Sequence, residues 1–249
     1  MVERVKILNI SFDNFTEEEF LLNSKRGLVV TPNIDFFYHS HRNKEFYKIM
    51  QDAEFVLCDS QLIFIASKFL RRGLKQKLSG SDLFPKFCQF HKNNDETKIF
   101  LMGSLPGVAK KAAENINTKV GREIVVDCYS PEFGFEASLE ETDKMIELFN
   151  NSDANVLALG TGCPKSEVWL LKNRHRLKEC LIFSIGATID FEAGQIKRSP
   201  KWMSSLCLEW LFRLLNEPKR LWRRYLINDP LFFWLILKEK LGIYKDPMV

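Results

Sequence analysis

The chain has 249 residues, of which 45% are hydrophobic, enough for one large domain or for one domain with an appendage. A formal net charge of +4 does not favour binding of nucleic acid by the whole surface. The six cysteines form no CxxC pair and show no ligand spacing with the four histidines, so reduced thiols are expected rather than disulfides or a zinc site. No apolar run approaches the ~20 residues that a membrane-spanning helix needs, and the N-terminus lacks a signal-peptide pattern, which favours a cytoplasmic location.

Short β-branched runs alternate with amphipathic segments through the first three quarters of the chain. The strand candidates, in chain order, are residues 5–12, 27–33, 55–60, 98–104, 123–130, 155–162 and 181–190. Most are apolar on both faces, as expected of parallel strands covered by helices. Between them, Thr16 and Glu19 have capping-box spacing, and further helices are predicted from about Pro106, Leu139 and Pro164. The alternation predicts an α/β fold, a Rossmann-like, mostly parallel sheet of seven strands with helices on both faces.

The pattern changes after Gly194, where helical segments follow one another without strands. Residues 204–216 predict one helix, and Pro218 and Pro230 each begin another, because proline is tolerated in the first helical turn. The sequence therefore predicts an α/β domain over 1–195 and a basic, amphipathic helical appendage over 196–249.

The appendage concentrates positive charge and aromatic residues. Residues 197–245 contain eleven Lys and Arg against four Asp and Glu, which indicates a local anionic partner. On one helix from Pro218, three arginines share a face and four apolar residues share the opposite face: Arg220, Arg223 and Arg224, against Leu221, Trp222, Tyr225 and Leu226. Such a helix, followed by the apolar residues 231–237, suits a membrane surface, but packing of both apolar faces on the core is the alternative.

Polar residues follow several predicted strands, at the edge where ligands bind in doubly wound sheets. Thr31 and Asn33 follow one strand, and Asp59 follows the next, just before a helix. An Asp at this point is either a helix N-cap or a catalytic carboxylate, and the sequence leaves both interpretations open.

Three further strand ends carry glycines: "GSLPG" with Gly103, "GTGCP" with Gly160 and Gly162, and "GATIDFEAG". Glycines there let backbone N–H groups approach a phosphate, so a nucleotide-type ligand is favoured, although no G-x-G-x-x-G or Walker A motif is present. Asp190 and Glu192 have the spacing of a D-x-E metal pair, or they belong to an ordinary turn.

Together these motifs resemble the WecG/TagA/CpsF glycosyltransferases of bacterial cell-surface polysaccharide synthesis. They occur in order over nearly the whole chain: "TPN", "CDS", "GSDL", "GSLPG", "GCPKSE", "GATIDFEAG" and "RSPKWM…LEWLFRLLNEPKRLWRRYL". The resemblance implies an inverting, metal-independent enzyme without a cofactor. It implies transfer of an N-acetylmannosamine-type, uronic-acid or glucose-type sugar from UDP to a polyprenyl-diphosphate-linked acceptor. It also implies a peripheral location on the inner face of the plasma membrane.

The resemblance also implies roles for individual residues. It makes Asp59 the catalytic carboxylate, with Thr31 nearby. The residues predicted to bind substrate are Asn33, Gly103, Gly160, Gly162, Lys165, Glu167, Asp190, Arg213, Arg220 and Arg223. Two departures from the family pattern, Ser166 in place of Gln and Ser104 in place of a second Gly, concern the identity of the sugar rather than the class of reaction.

Chemistry supports the same class independently, because inverting transfer needs a base for the acceptor hydroxyl and cations for the departing diphosphate. Asp59 supplies the first, and Lys165 and the C-terminal arginines supply the second. Two rival classes remain: a metal-dependent transferase that uses Asp190 and Glu192, and a non-catalytic membrane-docking module. The oligomeric state stays open, since an apolar appendage can pair with a second copy or with a bilayer.

Overall fold

The structure is a computed structural model that describes residues 2–200, 203 and 207–248. Its strands are β1 Arg4–Ile7, β2 Ile10–Asp13, β3 Gly27–Val30, β4 Phe55–Val56, β5 Ile99–Gly103, β6 Val125–Tyr129, β7 Val156–Gly160 and β8 Leu181–Ser184. The helices up to residue 192 are α1 Glu17–Asn23, α2 Ile34–Ser40, α3 Lys44–Asp52, α4 Gln61–Phe69, α5 Gly80–Phe90, α6 Val108–Val120, α7 Leu139–Asn151, α8 Lys165–Asn173 and α9 Thr188–Glu192. The C-terminal helices are α10 Glu209–Asn216, α11 Pro218–Arg223 and α12 Pro230–Lys240, with a π turn over Arg224–Asn228. The start of the helix predicted over 204–216 lies outside the described residues.

The main sheet contains six parallel strands in the order β4-β3-β8-β7-β5-β6. Successive residues of each strand point to opposite faces, so Leu28 and Val30 enter one core cluster and Val29 enters the other. Phe37, Phe46, Phe149 and Trp169 cover the first face, and Phe20, Phe84 and Phe87 cover the second. The predicted Rossmann-like α/β fold with helices on both faces is confirmed.

The first strand candidate, residues 5–12, is not a seventh strand of this sheet. It forms an antiparallel hairpin of β1 and β2, in which Ile7 pairs with Ile10 across a two-residue turn. Leu8 adopts a positive φ of 54° in that turn, a conformation that usually selects glycine or asparagine. The hairpin protects the sheet edge, because the buried Asp13 carboxylate accepts a hydrogen bond from the backbone N–H of Val56 on β4.

The predicted helix starts are close to the observed ones. Thr16 is the N-cap of α1 and forms both hydrogen bonds of a capping box with Glu19. Pro218 and Pro230 each occupy the first turn of a helix, as predicted. The C-terminal helices are docked on the sheet domain, because Phe232 of α12 is buried with its ring centroid 5.0 Å from that of Phe37 on α2.

Candidate active site

A cavity of about 560 Å³ opens at the carboxyl edge of the sheet. The segments that follow four adjacent strands, β4, β3, β8 and β7, form one wall of the cavity. Residues 207–233 form the opposite wall. The predicted site residues that line it are Thr31, Asn33, Asp59, Gly162, Glu167, Arg213 and Arg220. Segments 189 residues apart in sequence therefore meet at one concave surface, the usual location of a ligand site in such a sheet.

The turns after β3 and β4 are held together by backbone hydrogen bonds. The Asp59 N–H donates to the Pro32 carbonyl at 3.2 Å, which fixes the "CDS" turn beside the "TPN" turn. Asn33 caps α2, since its side-chain oxygen accepts from the Asp35 N–H at 3.1 Å. Thr31 Oγ1 lies so close to Gly80 that a Cβ at that glycine would be 2.9 Å from it. Any larger residue at position 80 would therefore displace the Thr31 hydroxyl.

Asp59 is not the N-cap of the helix that follows it. Ser60 is the N-cap of α4, and its Oγ accepts a hydrogen bond from the Leu62 N–H at 3.2 Å. Burial in the cavity, together with the nearby Glu209 carboxylate, raises the pKa of Asp59 to about 6, against the opposing effect of Lys77 and Arg213. The carboxylate is thus placed for chemistry at the cavity, and its pKa lies near the pH at which a general base works best.

A cluster of buried and half-buried polar side chains lies at the cavity wall. Arg224 Nε is 3.5 Å from Asp35 Oδ2, and His39 Nε2 is 3.6 Å from the same oxygen. Burial opposes ionisation of Asp35, but His39 and Arg224 outweigh it and lower the pKa of the carboxyl. Burial also raises the pKa of Asp229 to about 7, and its Oδ1 accepts no hydrogen bond from the described residues. Asp35 therefore anchors the Arg224 guanidinium at the cavity wall, which Arg224 lines.

One group of side chains in this cluster has the composition of a metal site. One ligand atom each of Asp35, His39 and Cys163 lies within 4.8 Å of the other two. Arg224 already supplies a cation to Asp35, and a second cation there would be repelled by the guanidinium. The arrangement therefore fits an ion pair better than a metal centre.

Asp190 and Glu192, the D-x-E pair of the sequence, have separate partners. Asp190 accepts a 2.5 Å hydrogen bond from Ser104 Oγ, whereas the buried Glu192 carboxylate pairs with Lys119 at 2.6 Å. The two carboxylates thus serve different contacts on opposite sides of the short helix α9. The structure gives no support to a shared metal site at this pair.

Asp190 does not line the cavity, and neither do three further predicted binding residues, Gly103, Gly160 and Lys165. Gly103 and Gly160 are paired in the sheet, and a Cβ on Gly103 would lie 2.5 Å from the Gly160 carbonyl carbon, so these glycines allow close packing of the strand ends. Lys165 forms a 2.5 Å ion pair with Glu136. Ser166, one of the departures from the family pattern, is fully buried and bonds Thr161 Oγ1 at 2.8 Å, so its side chain closes a loop rather than facing a ligand.

The C-terminal arginines are divided between the cavity and the surface. Arg213 and Arg220 line the cavity, and Arg220 pairs with Glu217 at 2.7 Å. Arg223 is exposed and does not line it, contrary to the prediction that it shares a face with Arg224. The α-helix ends at Arg223, and the π turn that follows, with the Asp229 N–H donating to the Arg224 carbonyl at 2.9 Å, changes the direction of the side chains.

Sequence reasoning missed two cations of the cavity wall, Lys77 and Arg224. Lys77 stands three residues before Gly80 of the "GSDL" motif, and that proximity to a motif is the one signal that could have found it. Arg224 is predicted on the same helix face as Arg220 and Arg223, but the resemblance names only those two and Arg213 as binding residues, and the partner of Arg224, Asp35, is far away in sequence.

The outer surface of the C-terminal segment is apolar. Several large hydrophobic side chains are exposed there, namely Trp222, Leu226, Ile227, Phe233, Trp234, Leu237, Leu241 and Ile243. Leu221 and Ile236 are buried, so the alternative in which both apolar faces pack on the core holds for only part of the segment. Among the described residues, none of the helices combines the length and hydrophobicity needed to traverse a bilayer.

A doubly wound sheet with a carboxylate, cations and glycine turns around one cavity at its carboxyl edge is an arrangement in which α/β proteins commonly bind phosphate-bearing ligands. The chain belongs to the glycosyl transferase WecG/TagA/CpsF family, whose pattern matches residues 5–246. It is 26% identical over 231 residues to an N-acetylglucosaminyldiphosphoundecaprenol N-acetyl-beta-D-mannosaminyltransferase of Bacillus spizizenii, covering 92% of this chain and 86% of that protein. It is 25% identical over 252 residues to a Staphylococcus aureus protein of the same name, covering 97% of this chain and 95% of the relative. The enzyme class is therefore glycosyltransferase, as the sequence predicted.

Proposed function

We propose that the protein transfers a sugar from a UDP-sugar, with inversion, to an acceptor linked to a polyprenyl diphosphate. The observation that carries the proposal is the position of Asp59, a carboxylate with a raised pKa in a cavity whose wall also carries four cations and the carboxylates Glu167, Glu209 and Asp229. The names of the relatives support the acceptor class, since each describes a diphosphoundecaprenol-linked saccharide. The proposed donor sugar is of the N-acetylmannosamine, uronic-acid or glucose type.

The proposed reaction is a single displacement at the anomeric carbon. The acceptor hydroxyl oxygen forms the new bond to that carbon while the bond from the carbon to the UDP oxygen breaks. Asp59 accepts the hydroxyl proton, and the electron pair of the broken bond leaves with UDP. Thr31, which is held beside the carboxylate's turn, donates a hydrogen bond to the donor or to the acceptor.

Charge on the departing diphosphate needs compensation in a site that excludes much of the water. Four cations line the cavity, namely Lys77, Arg213, Arg220 and Arg224. The Arg213 Nε–H is buried and has no hydrogen-bond partner among the described residues, so it is available to a ligand. Because arginine binds phosphate oxygens through two parallel N–H groups, this set supplies the role that a divalent cation has in metal-dependent transferases.

The exposed apolar side chains of α11, the π turn and α12 give the enzyme a membrane-facing side in this proposal. Trp222 and Trp234 suit the headgroup region, and Arg223 and Lys238 suit anionic phosphates. We retain the division into a catalytic domain over 1–195 and an appendage over 196–249, with the appendage binding the cytoplasmic leaflet while its inward arginines complete the cavity.

The test is a panel of UDP-sugars offered with a short-chain polyprenyl-diphosphate N-acetylglucosamine acceptor, with product identified by mass. We expect one UDP-sugar to add a single sugar unit, and Asp59→Asn to abolish most of that product. If no UDP-sugar yields a product with the intact chain in the presence of vesicles, the proposed reaction is wrong.

A further inference from the structure

Two helices begin at the rim of the cavity and run side by side away from it. Leu62 in the first turn of α4 and Phe233 in the first turn of α12 both line the cavity. At their far ends the helices are joined, because Lys240 Nζ donates to the Phe69 carbonyl at 2.7 Å and lies 5.0 Å from the centre of the Phe69 ring. The two helices therefore form the walls of a groove that opens into the cavity at one end.

The wall formed by α12 can be assigned from its other contacts. Phe232 and Ile236 face the core, and Glu239 accepts a hydrogen bond from the Leu8 N–H at 2.9 Å. Positions i, i+4 and i+7 on the next flank are Phe233, Leu237 and Lys240. Because Lys240 contacts Phe69, this flank faces α4. Phe233 is 53% exposed and Leu237 is 43% exposed, although both lie toward a neighbouring helix.

The wall formed by α4 has the same character. Ile63 and Ala66 point into the core. Leu62, Ile65 and Phe69 lie together on an adjacent flank at i, i+3 and i+7, and Phe69 at the end of that row contacts Lys240. Ile65 is 47% exposed and Phe69 is 50% exposed. Apolar side chains thus line both sides of a groove between two elements that are fixed at their ends.

We propose that this groove binds the first isoprenoid units of the acceptor lipid. The inference rests on the proposed function, in which the acceptor's diphosphate lies among the cavity's arginines. A chain attached to that diphosphate must leave the cavity, and the groove provides an apolar exit that is continuous with the cavity through Leu62 and Phe233. From Leu62 to Phe69 the groove is about 10 Å long by helical rise, which is about two extended isoprenoid units of four chain bonds each.

The distribution of charge from the cavity along the groove agrees with a prenyl diphosphate as the bound molecule. The cavity end carries Arg213, Arg220 and Arg224, which match a diphosphate, whereas the groove walls between the cavity and Lys240 are apolar. The Lys240 ammonium is held at the Phe69 carbonyl, beyond the apolar stretch. A linear amphiphile with a diphosphate head and a prenyl tail complements this sequence of environments.

The test measures binding, by calorimetry in buffer without vesicles, of farnesyl diphosphate and isopentenyl diphosphate to the full-length chain. We expect the wild-type protein to bind the farnesyl compound at least tenfold more tightly, because two more isoprenoid units leave water. Leu237→Gln and, on the other wall, Ile65→Gln should each reduce that preference about threefold or more. The matched control is Ile227→Gln, since Ile227 is 55% exposed on the π turn, belongs to the outer apolar surface and does not line the cavity. This variant should keep the wild-type preference.

Equal binding of the two compounds by the wild-type protein would overturn the inference. So would an equal loss of preference in the Leu237→Gln and Ile227→Gln variants, since the prenyl chain would then contact the outer apolar surface in general. Far-ultraviolet circular dichroism checks that each variant is folded. Failure of the UDP-sugar panel would refute the proposed reaction without affecting this measurement, so the two ideas fail separately.

Discussion

Replacing Asp59 with Asn removes the proposed proton acceptor while it keeps the size of the side chain. The helix that follows should be unaffected, because Ser60 rather than Asp59 caps α4. Asn also conserves the backbone bond from position 59 to the Pro32 carbonyl. The substitution therefore separates catalysis from folding more cleanly than a change to Ala, which would leave a void in the cavity wall.

The structure sets the size and pH dependence of the expected effect. With a pKa of about 6, Asp59 is about 90% ionised at pH 7 and about 10% ionised at pH 5. Since only the carboxylate accepts a proton, kcat/KM should be constant above about pH 7 and should fall roughly tenfold per pH unit well below 6. At pH 7.5, Asp59→Asn should lower the rate by roughly 10²–10⁴, or about 3–5 kcal/mol of transition-state stabilisation.

The assay follows transfer to a water-soluble short-alkyl diphosphate acceptor, which removes membrane binding from the measurement. Two controls sharpen it. Ser60→Ala should cost about 1 kcal/mol of stability through loss of the cap while transfer persists. Asp229→Asn tests whether ionisation of Asp229, rather than of Asp59, sets the pH dependence of the rate, because the pKa of Asp229 is raised to about 7. A near-wild-type rate in Asp59→Asn, or a pH midpoint near 7 that disappears in Asp229→Asn, would refute Asp59 as the base.

Three further outcomes are expected. Gly103→Ala should lower the free energy of unfolding by about 3 kcal/mol, because the new Cβ would lie 2.5 Å from the Gly160 backbone; calorimetry should show a Tm that is lower by roughly 6–12 °C. In the control Gly107→Ala the new Cβ meets no described atom within 4 Å, and the loss should be about 1 kcal/mol. Arg224→Gln should reduce transfer to the soluble acceptor at least about 10-fold, whereas Arg223→Gln should keep transfer and weaken liposome sedimentation. Excess chelator should leave transfer unchanged, and recovery of lost activity with Mg²⁺ or Mn²⁺ would contradict the metal-independent proposal.

The parts of the fold that depend on local sequence were predictable. The capping box at Thr16 and Glu19, the prolines that begin α11 and α12, and the buried parallel strands all rest on residues within one element. The sequence predicts a single strand at residues 5–12, where the structure has a hairpin, because the turn contains Leu8, a residue type that gives no signal for a positive φ. The extended conformation of these residues is predicted correctly, but the reversal of the chain direction at Leu8 is not.

Site residues were predictable only where they directly follow a strand that the same sequence motif contains. Thr31, Asn33 and Asp59 follow directly from β3 and β4, so the fold alone places them at the cavity. The choice between Asp59 and Ser60 as the cap could not be made from sequence, because both residue types cap helices well. Gly103 ends β5, but β5 lies outside the four strands whose ends form the cavity wall, and the order of strands in a sheet cannot be seen in the sequence.

The arginine segment fails the sequence prediction for a reason that bears on function. An uninterrupted α-helix would place Arg220, Arg223 and Arg224 on one face. The change to a π turn at Arg224 instead directs that guanidinium to Asp35, while Arg223 stays exposed at the surface that carries Trp222. Adjacent residues on one short segment therefore contact different environments, the cavity and the outer surface. In the proposed membrane-bound state, movement of this segment would shift the Arg224 guanidinium at the same time, so membrane contact and the charge of the cavity would be coupled through a single turn.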